Sequence, residues 1–182
     1  MTPSDPLSVA AARADGEALV SLSHHPYLIR PTTSADEPAV FGMFSQSSAY
    51  DLRLRCLGAI KDFPRQAAAR LTHCDAGHEI ALVAVDAEGA QPGEIVGLVH
   101  LIDEPGQPGC AEFDIMVRTD LHGHGIGFQL MKEILARARG RGIKTVVGFV
   151  AGENSAMLWM AGELGFAFDH AEAGVVRVAA QL

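Results

Sequence analysis

An α/β fold with a mostly antiparallel sheet flanked by helices is what this chain predicts, and three observations carry it. Three strand-like runs, EIALVAVD, EIVGLVHLID and CAEFDIMVR, follow one another across short Gly- and Pro-containing turns, the pattern of an antiparallel meander. A helical run with Ile126, Leu130, Met131, Ile134, Leu135 and Ala138 on one face follows them. A further strand, Lys144 to Ala151, is reached through that helix. Such a crossover puts it parallel to the strand that precedes the helix.

Taken in order, residues 1–23 mix Ala, Ser, Pro and Asp and read as a tail or linker, with a single domain over 24–182. Tyr27 to Arg30 is a short strand stopped by Pro31. Ser34 or Asp36 caps a helix over Glu37 to Ser45, with Pro38 tolerated in its first turn. Tyr50 to Leu57 and Gln66 to Leu71 are short helices. The strands Glu79 to Asp86, Glu94 to Asp103 and Cys110 to Arg118 form the meander. In the long helix, Glu133 and Arg137 form an i,i+4 pair, and Gly140 and Gly142 end it. Met157, Met160, Ala161 and Leu164 give a last helix face, stopped by Gly165. FAFDH and GVVRVAAQ close the fold as a hairpin.

Composition narrows the class. In 182 residues, 48% are apolar and 20% charged, which is ordinary globular usage and enough chain for one core. A net charge of −8 argues against a nucleic-acid partner; it is compatible with a cationic substrate such as an amine, though a solvated acidic surface is the commoner reason. No run is long enough to span a membrane, and no charged-then-apolar leader is seen, so no membrane partner is expected. Cys56, Cys74 and Cys110 are odd in number and far apart, so no disulfide framework is expected and the location reads as cytoplasmic.

The stretch VRTDLHGHGIGFQLM, Val117 to Met131, puts Gly123, Gly125 and Gly127 between a strand and a helix. A bare backbone at a helix start exposes N–H groups and the positive end of the dipole, an anion site that a diphosphate can approach without meeting a Cβ. A glycine-rich helix start with no ligand is the plainer alternative. The spacing fits neither G-x-G-x-x-G, since the third position falls on Phe128, nor a Walker loop.

V-R-x-D-L-x-G-x-G-I-G-x-x-L-M after E-F-x-I resembles the coenzyme A-binding motif of the GNAT acyltransferase superfamily, Q/R-x-x-G-x-G/A. YDLRLRCLGAIKDF, ARLTH, EIALVAV, AEFDIMVR, ARGRGIKTVVGFV and ENSAMLWMAGELGF extend the likeness over roughly Tyr27 to Phe166. They resemble the acetyltransferase domain of Pat-type bacterial protein lysine acetyltransferases. The resemblance implies a GNAT fold whose splayed strands bind coenzyme A. It further implies acetyl-CoA as cosubstrate and transfer of an acetyl group to a lysine of a protein, with acyl-CoA synthetases as a class of acceptor. It assigns cofactor contacts to Met116, Val117, Arg118, His122, Gly123, His124, Gly125, Ile126, Gly127, Phe128, Asn154 and Met157. Two departures stand out. His122 replaces the Gln/Arg of the motif with a side chain largely uncharged at neutral pH. Ala161 stands where many GNAT enzymes carry the tyrosine that protonates the leaving thiolate, and Trp159 is no substitute because indole is not a useful acid. Pat-type domains are often fused to a synthetase-like or nucleotide-sensing domain, for which this chain has no room.

The strand Cys110 to Arg118 offers the base. Alternation places Ala111, Phe113, Ile115 and Val117 on one face and Glu112, Asp114 and Met116 on the other. Two carboxylates about 7 Å apart on one side of a strand raise one another's affinity for a proton if buried together. Glu112 matches the family's catalytic glutamate, and Asp114 is the second choice. Asn154 either caps the following helix or also bonds the pantetheine arm. HCDAGH, His73 to His78, lacks a second cluster at ligand spacing, so no metal is expected. His100 lies on the same face as Leu98 and Ile102 and reads as a satisfied core histidine. A small-molecule amine acetyltransferase and a non-catalytic coenzyme A-binding sensor module remain as alternatives. The oligomeric state and the acyl-chain preference stay open.

Overall fold

The computed structural model describes residues 8–12, 16–22, 25–56, 63–88, 93–170 and 173–182. Strands β1 (Ser8–Ala12), β2 (Ala18–Leu22), β3 (His25–Pro31), β4 (Glu79–Asp86), β5 (Ile95–Asp103), β6 (Cys110–Val117), β7 (Thr145–Ala151), β8 (Ala167–His170) and β9 (Val175–Gln181) form one sheet. Its order is β1-β2-β3-β4-β5-β6-β7-β9-β8. Every neighbouring pair is antiparallel except β6 with β7, the pair joined by the helical crossover. Helices α1 (Glu37–Gln46), α2 (Ala49–Cys56) and α3 (Phe63–Thr72) precede β4. Helices α4 (Ile126–Gly140) and α5 (Ser155–Glu163) flank β7 in sequence.

The meander, the parallel crossover and the closing hairpin stand as the patterning predicts. Residues 8–12 and 18–22, expected to be part of a tail or linker, instead extend the sheet: β2 pairs with β3 from Ala18↔Ile29 to Leu22↔His25. The alternation Ala18, Val20, Leu22 points three apolar side chains into the core. That signal is short and follows an Ala-rich run that reads equally well as a helical turn. Arg137 of α4, already paired with Glu133 at 2.9 Å, also donates to the Gly16 carbonyl and ties this part of the chain to the helix layer.

The sheet is covered on both faces. One face carries the larger cluster, with Leu82, Val99, Leu101 and Phe113 under Ile126, Leu130, Met131 and Ile134 of α4. The other carries Val83, Val85, Leu98 and Met116 against Val40, Met43 and Phe44 of α1 and Ala68 and Leu71 of α3. This double cover explains why β5 is buried over seven consecutive residues instead of alternating. Before α1, the Asp36 carboxylate accepts from Arg30 Nη1 and Nη2, each at 2.7 Å, and from the Thr33 N–H at 2.8 Å.

Candidate active site

The site is built around a gap in the sheet. Strands β6 and β7 pair only at Cys110↔Thr145, Ala111↔Val146 and Glu112↔Val147. Beyond these, β6 runs on to Val117 and β7 to Ala151 with no register between them, so the two strands splay into a V with Glu112 at its apex. Pairing of β6 with β5 continues through Val117, which leaves only the β7-facing edge of β6 unpaired. A packed sheet leaves few backbone groups without partners, so an open buried edge is a place for an extended ligand to pair.

A cleft of about 1200 Å³ fills this V. Glu112, Asp114, Met116, Val117, His122, Gly123, Gly125, Ile126, Gly127, Phe128, Asn154 and Met157 all line it. Arg118 and His124 are not among the lining residues. The Arg118 guanidinium is held by Glu94 at 2.8 Å and Asp120 at 2.7 Å, and its backbone N–H is given to the Val96 carbonyl. His124 is exposed, its ring bonded to the His122 carbonyl.

The three glycines serve different needs. Gly123 and Gly125 have φ of 79° and 85°, a left-handed backbone that side chains other than glycine adopt at a cost. A Cβ on Gly125 would point at Leu22, 3.6 Å away, so the glycine there supplies conformation. Gly127 is helical, and its Cβ would lie 3.5 Å from Val117 and 3.6 Å from Met160, both cleft residues. Gly127 thus has room for a methyl group at ordinary contact distance, but a larger side chain there would crowd the cleft wall. With Gly125 as N-cap, no side chain caps the first turn of α4 and no acidic residue neutralises it. Its N–H groups and dipole face the cleft. His122 Nε2 donates to the Val117 carbonyl at 2.9 Å, pinning the loop to the end of β6.

Glu112 is half-buried, and its carboxyl pKa is raised by burial first and by the charges of Glu104 and Asp114 next. Asn154 caps α5, its Oδ1 accepting the Met157 N–H at 3.1 Å. Ala161 is fully buried in the core, so no side-chain acid stands at that position.

Several lining residues come from elements that motif reading does not reach. Tyr50, Asp51 and Leu54 of α2, Phe149 of β7 and Glu153 just after it line the cleft. Arg53 bridges these two walls, over the Tyr50 ring at 5.2 Å and paired with Glu153 at 2.6 Å. Trp159, 66% exposed, lines the cleft from α5. Away from the cleft, His100 is buried with Nε2 2.9 Å from Glu79 Oε2. Burial lowers its pKa, against the pull of Glu79 and Asp114. The Cys74 thiol is pushed up to about 11 by burial and by Glu79.

The acetyltransferase (GNAT) family pattern matches residues 47–166, and the chain belongs to that family of N-acetyltransferases, which use acetyl-CoA as acyl donor. It is similar to the L-methionine sulfoximine/L-methionine sulfone acetyltransferase of Pseudomonas aeruginosa, 35% identical over 88 residues. That match covers 47% of this chain and 49% of the relative, so the chain spans about half the length of the curated relatives it matches. In structure it is similar to the GNAT domain of S. lividans PAT, with a TM-score of 0.81 at 24% identity, covering 94% of this chain and 100% of that one. It is also similar to the PaiA N-acetyltransferase of Thermoplasma acidophilum in complex with coenzyme A. There the TM-score is 0.68 at 13% identity, covering 86% and 99%. No described helix is long and apolar enough to cross a membrane.

Proposed function

We propose that this chain transfers the acetyl group of acetyl-CoA to lysine ε-amino groups of protein substrates, with Glu112 as general base. The observation that carries the reading is the placement of Glu112 at the apex of the β6–β7 opening, lining the cleft, with a raised carboxyl pKa.

The glycine loop and first turn of α4 fit a diphosphate, and the free edge of β6 near Met116 and Val117 fits the amide-bearing pantetheine arm. Acetyl-CoA supplies the activated thioester carbonyl. The chain's own residues do the rest. Glu112 accepts the proton of the incoming ammonium, directly or through water, and its raised proton affinity suits a base working near neutral pH. No side-chain acid stands at Ala161, so the thiolate leaves without one there.

The acceptor wall supports a lysine. Asp114 lines the cleft beside Glu112, a pair of carboxylates for an incoming cation, while Glu153 is already paired with Arg53, and the exposed rings of Tyr50 and Phe149 offer apolar surface to a butyl stem. The likeness to Pat-type domains in sequence and fold points the same way. The amino-acid acetyltransferase relatives favour a second reading, a small-molecule amine acceptor. Incubation with acetyl-CoA and a mixture of proteins and amino acids, read by mass spectrometry, decides between them. New acetyl-lysines support the proposal. Acetylation confined to free amino acids such as L-methionine sulfone overturns it in favour of the second reading.

A further inference from the structure

We infer that Cys74, Glu79 and His100 form a binding site for one divalent transition-metal ion, with Zn²⁺ as the matching ion, on the sheet face that carries Glu112. Cys74 follows α3, Glu79 opens β4 and His100 lies in the middle of β5. Their ligand atoms, Sγ, a carboxylate oxygen and an imidazole nitrogen, all lie within 4.8 Å of one another. Three ligands around a tetrahedral zinc at about 2.0–2.3 Å sit about 3.4–3.7 Å apart, so modest side-chain rotations close the set.

The donor chemistry is selective. One thiolate, one imidazole and one carboxylate are a zinc-type set; hard cations such as Mg²⁺ and Ca²⁺ prefer oxygen alone. The surroundings suit it as well. The His100 side chain is 5% exposed and the Glu79 side chain 15%, so these two ligands stand largely out of water, and Cys74 is partly buried. Asp114 is the direct cross-strand partner of His100, on the same face. Its negative charge acts on the imidazole and favours a cation beside it. Arg70, 3.6 Å from Glu79, is the competing cation, and its side chain is 60% exposed and free to swing outward. Spacing along the chain conceals this site, because only Cys74 comes from the His73 to His78 segment. His73 instead bonds the Ala69 carbonyl, and His78 faces Asp103.

Binding at this site releases the thiol proton to solvent and forms a metal–sulfur bond, with no change of oxidation state. The test is titration of the chelator-treated full chain with Co²⁺, then displacement by Zn²⁺. The expected result is one Co²⁺ per chain with a thiolate-to-cobalt charge-transfer band in the near ultraviolet, abolished by Zn²⁺. Cys74→Ser should lose the band while keeping its far-ultraviolet circular dichroism. His100→Asn, which removes a ligand, should weaken binding at least ~10-fold, since losing even an outer partner of a ligand costs that much. Cys110→Ser, at the other free thiol among the described residues, should bind like the parent. A parent protein with no thiolate band at one equivalent overturns the inference, as does a band that survives Cys74→Ser.

Discussion

Two substitutions two residues apart in the glycine loop should move stability and cofactor binding in different ways. Gly125 sits at φ 85° as the N-cap of α4, so Gly125→Ala forces a Cβ into a left-handed backbone. The space itself is open, with Leu22 at 3.6 Å, so the cost is conformational, about 1–2 kcal/mol. If the loop relaxes to relieve it, the first-turn N–H groups of α4 lose their aim and acetyl-CoA binding weakens at least ~10-fold, equivalent to about 1.4 kcal/mol. Gly125→Val should do the same more severely. Gly127 is already helical, and a Cβ there meets its neighbours at ordinary contact distance, 3.5 Å or more. Gly127→Ala should therefore fold at least as well as the parent, since alanine is favoured over glycine within helices by up to about 1 kcal/mol. It should bind acetyl-CoA within a few-fold, whereas Gly127→Val, reaching past Val117 and Met160 into the cleft, should not. Chemical denaturation gives the stabilities and calorimetry the affinities. A Gly125→Ala protein as stable and as tight-binding as the parent, or a Gly127→Ala protein less stable than Gly125→Ala, refutes the division of labour among the glycines.

Three further outcomes are expected. Glu112 has a raised folded-state pKa, so between the ordinary glutamate range and that raised value the native chain holds more protons than the unfolded one. Its contribution to stability therefore falls as pH rises through that window, and Glu112→Gln should be more stable than the parent at pH 7.5 but not at pH 4; thermal scans at both pH values check the sign. At Asp36, burial raises the pKa, but hydrogen bonds from Arg30 and Thr33 outweigh it and the net shift is downward. Its contribution is present above the ordinary aspartate range and is lost as pH falls through the lowered value. Asp36→Asn should cost about 1.5–3 kcal/mol at pH 7, with a smaller difference in acid, by urea denaturation. In β7, a Cβ on Gly148 would overlap the ring of Phe113, which is also packed edge-on to Phe166 at 5.5 Å. Gly148→Ala should cost about 1–3 kcal/mol, partly recovered by adding Phe113→Leu.

How much of this was legible depended on whether the signal was local. The meander, the crossover helix and the Glu112, Asp114, Met116 face follow from periods of 2 and 3.6, which adjacent residues carry by themselves. The strands at 8–12 and 18–22 escaped because the alternation Ala18, Val20, Leu22 is short and follows an Ala-rich run, and both become strands through pairing, β1 with β2 and β2 with β3. At the cleft, the glycine loop and Asn154 announce themselves as motifs. Tyr50, Asp51, Phe149 and Glu153 do not, since a hundred residues separate the two ends of the Arg53–Glu153 bridge. The distinct duties of Gly125 and Gly127 depend on φ and Cβ direction, which the repeated letter G does not encode. His100 read correctly as a satisfied core histidine, but its partners Glu79 and Cys74 come from other elements.

The most direct test of the account is steady-state kinetics of Glu112→Gln with an acceptor that the parent acetylates, alongside its affinity for acetyl-CoA. Gln keeps the size and hydrogen-bonding capacity of Glu112 at the apex of the β6–β7 opening but cannot take a proton. The account predicts acetyl-CoA binding within a few-fold of the parent and kcat/KM lowered by ~100-fold or more at pH 7.5. The loss should be partly restored as pH rises toward the lysine range near ~10.4 and the acceptor amine loses its proton unaided. A Glu112→Gln enzyme that turns over at close to the parental rate at pH 7.5 would contradict the assignment and move the search for the base to Asp114.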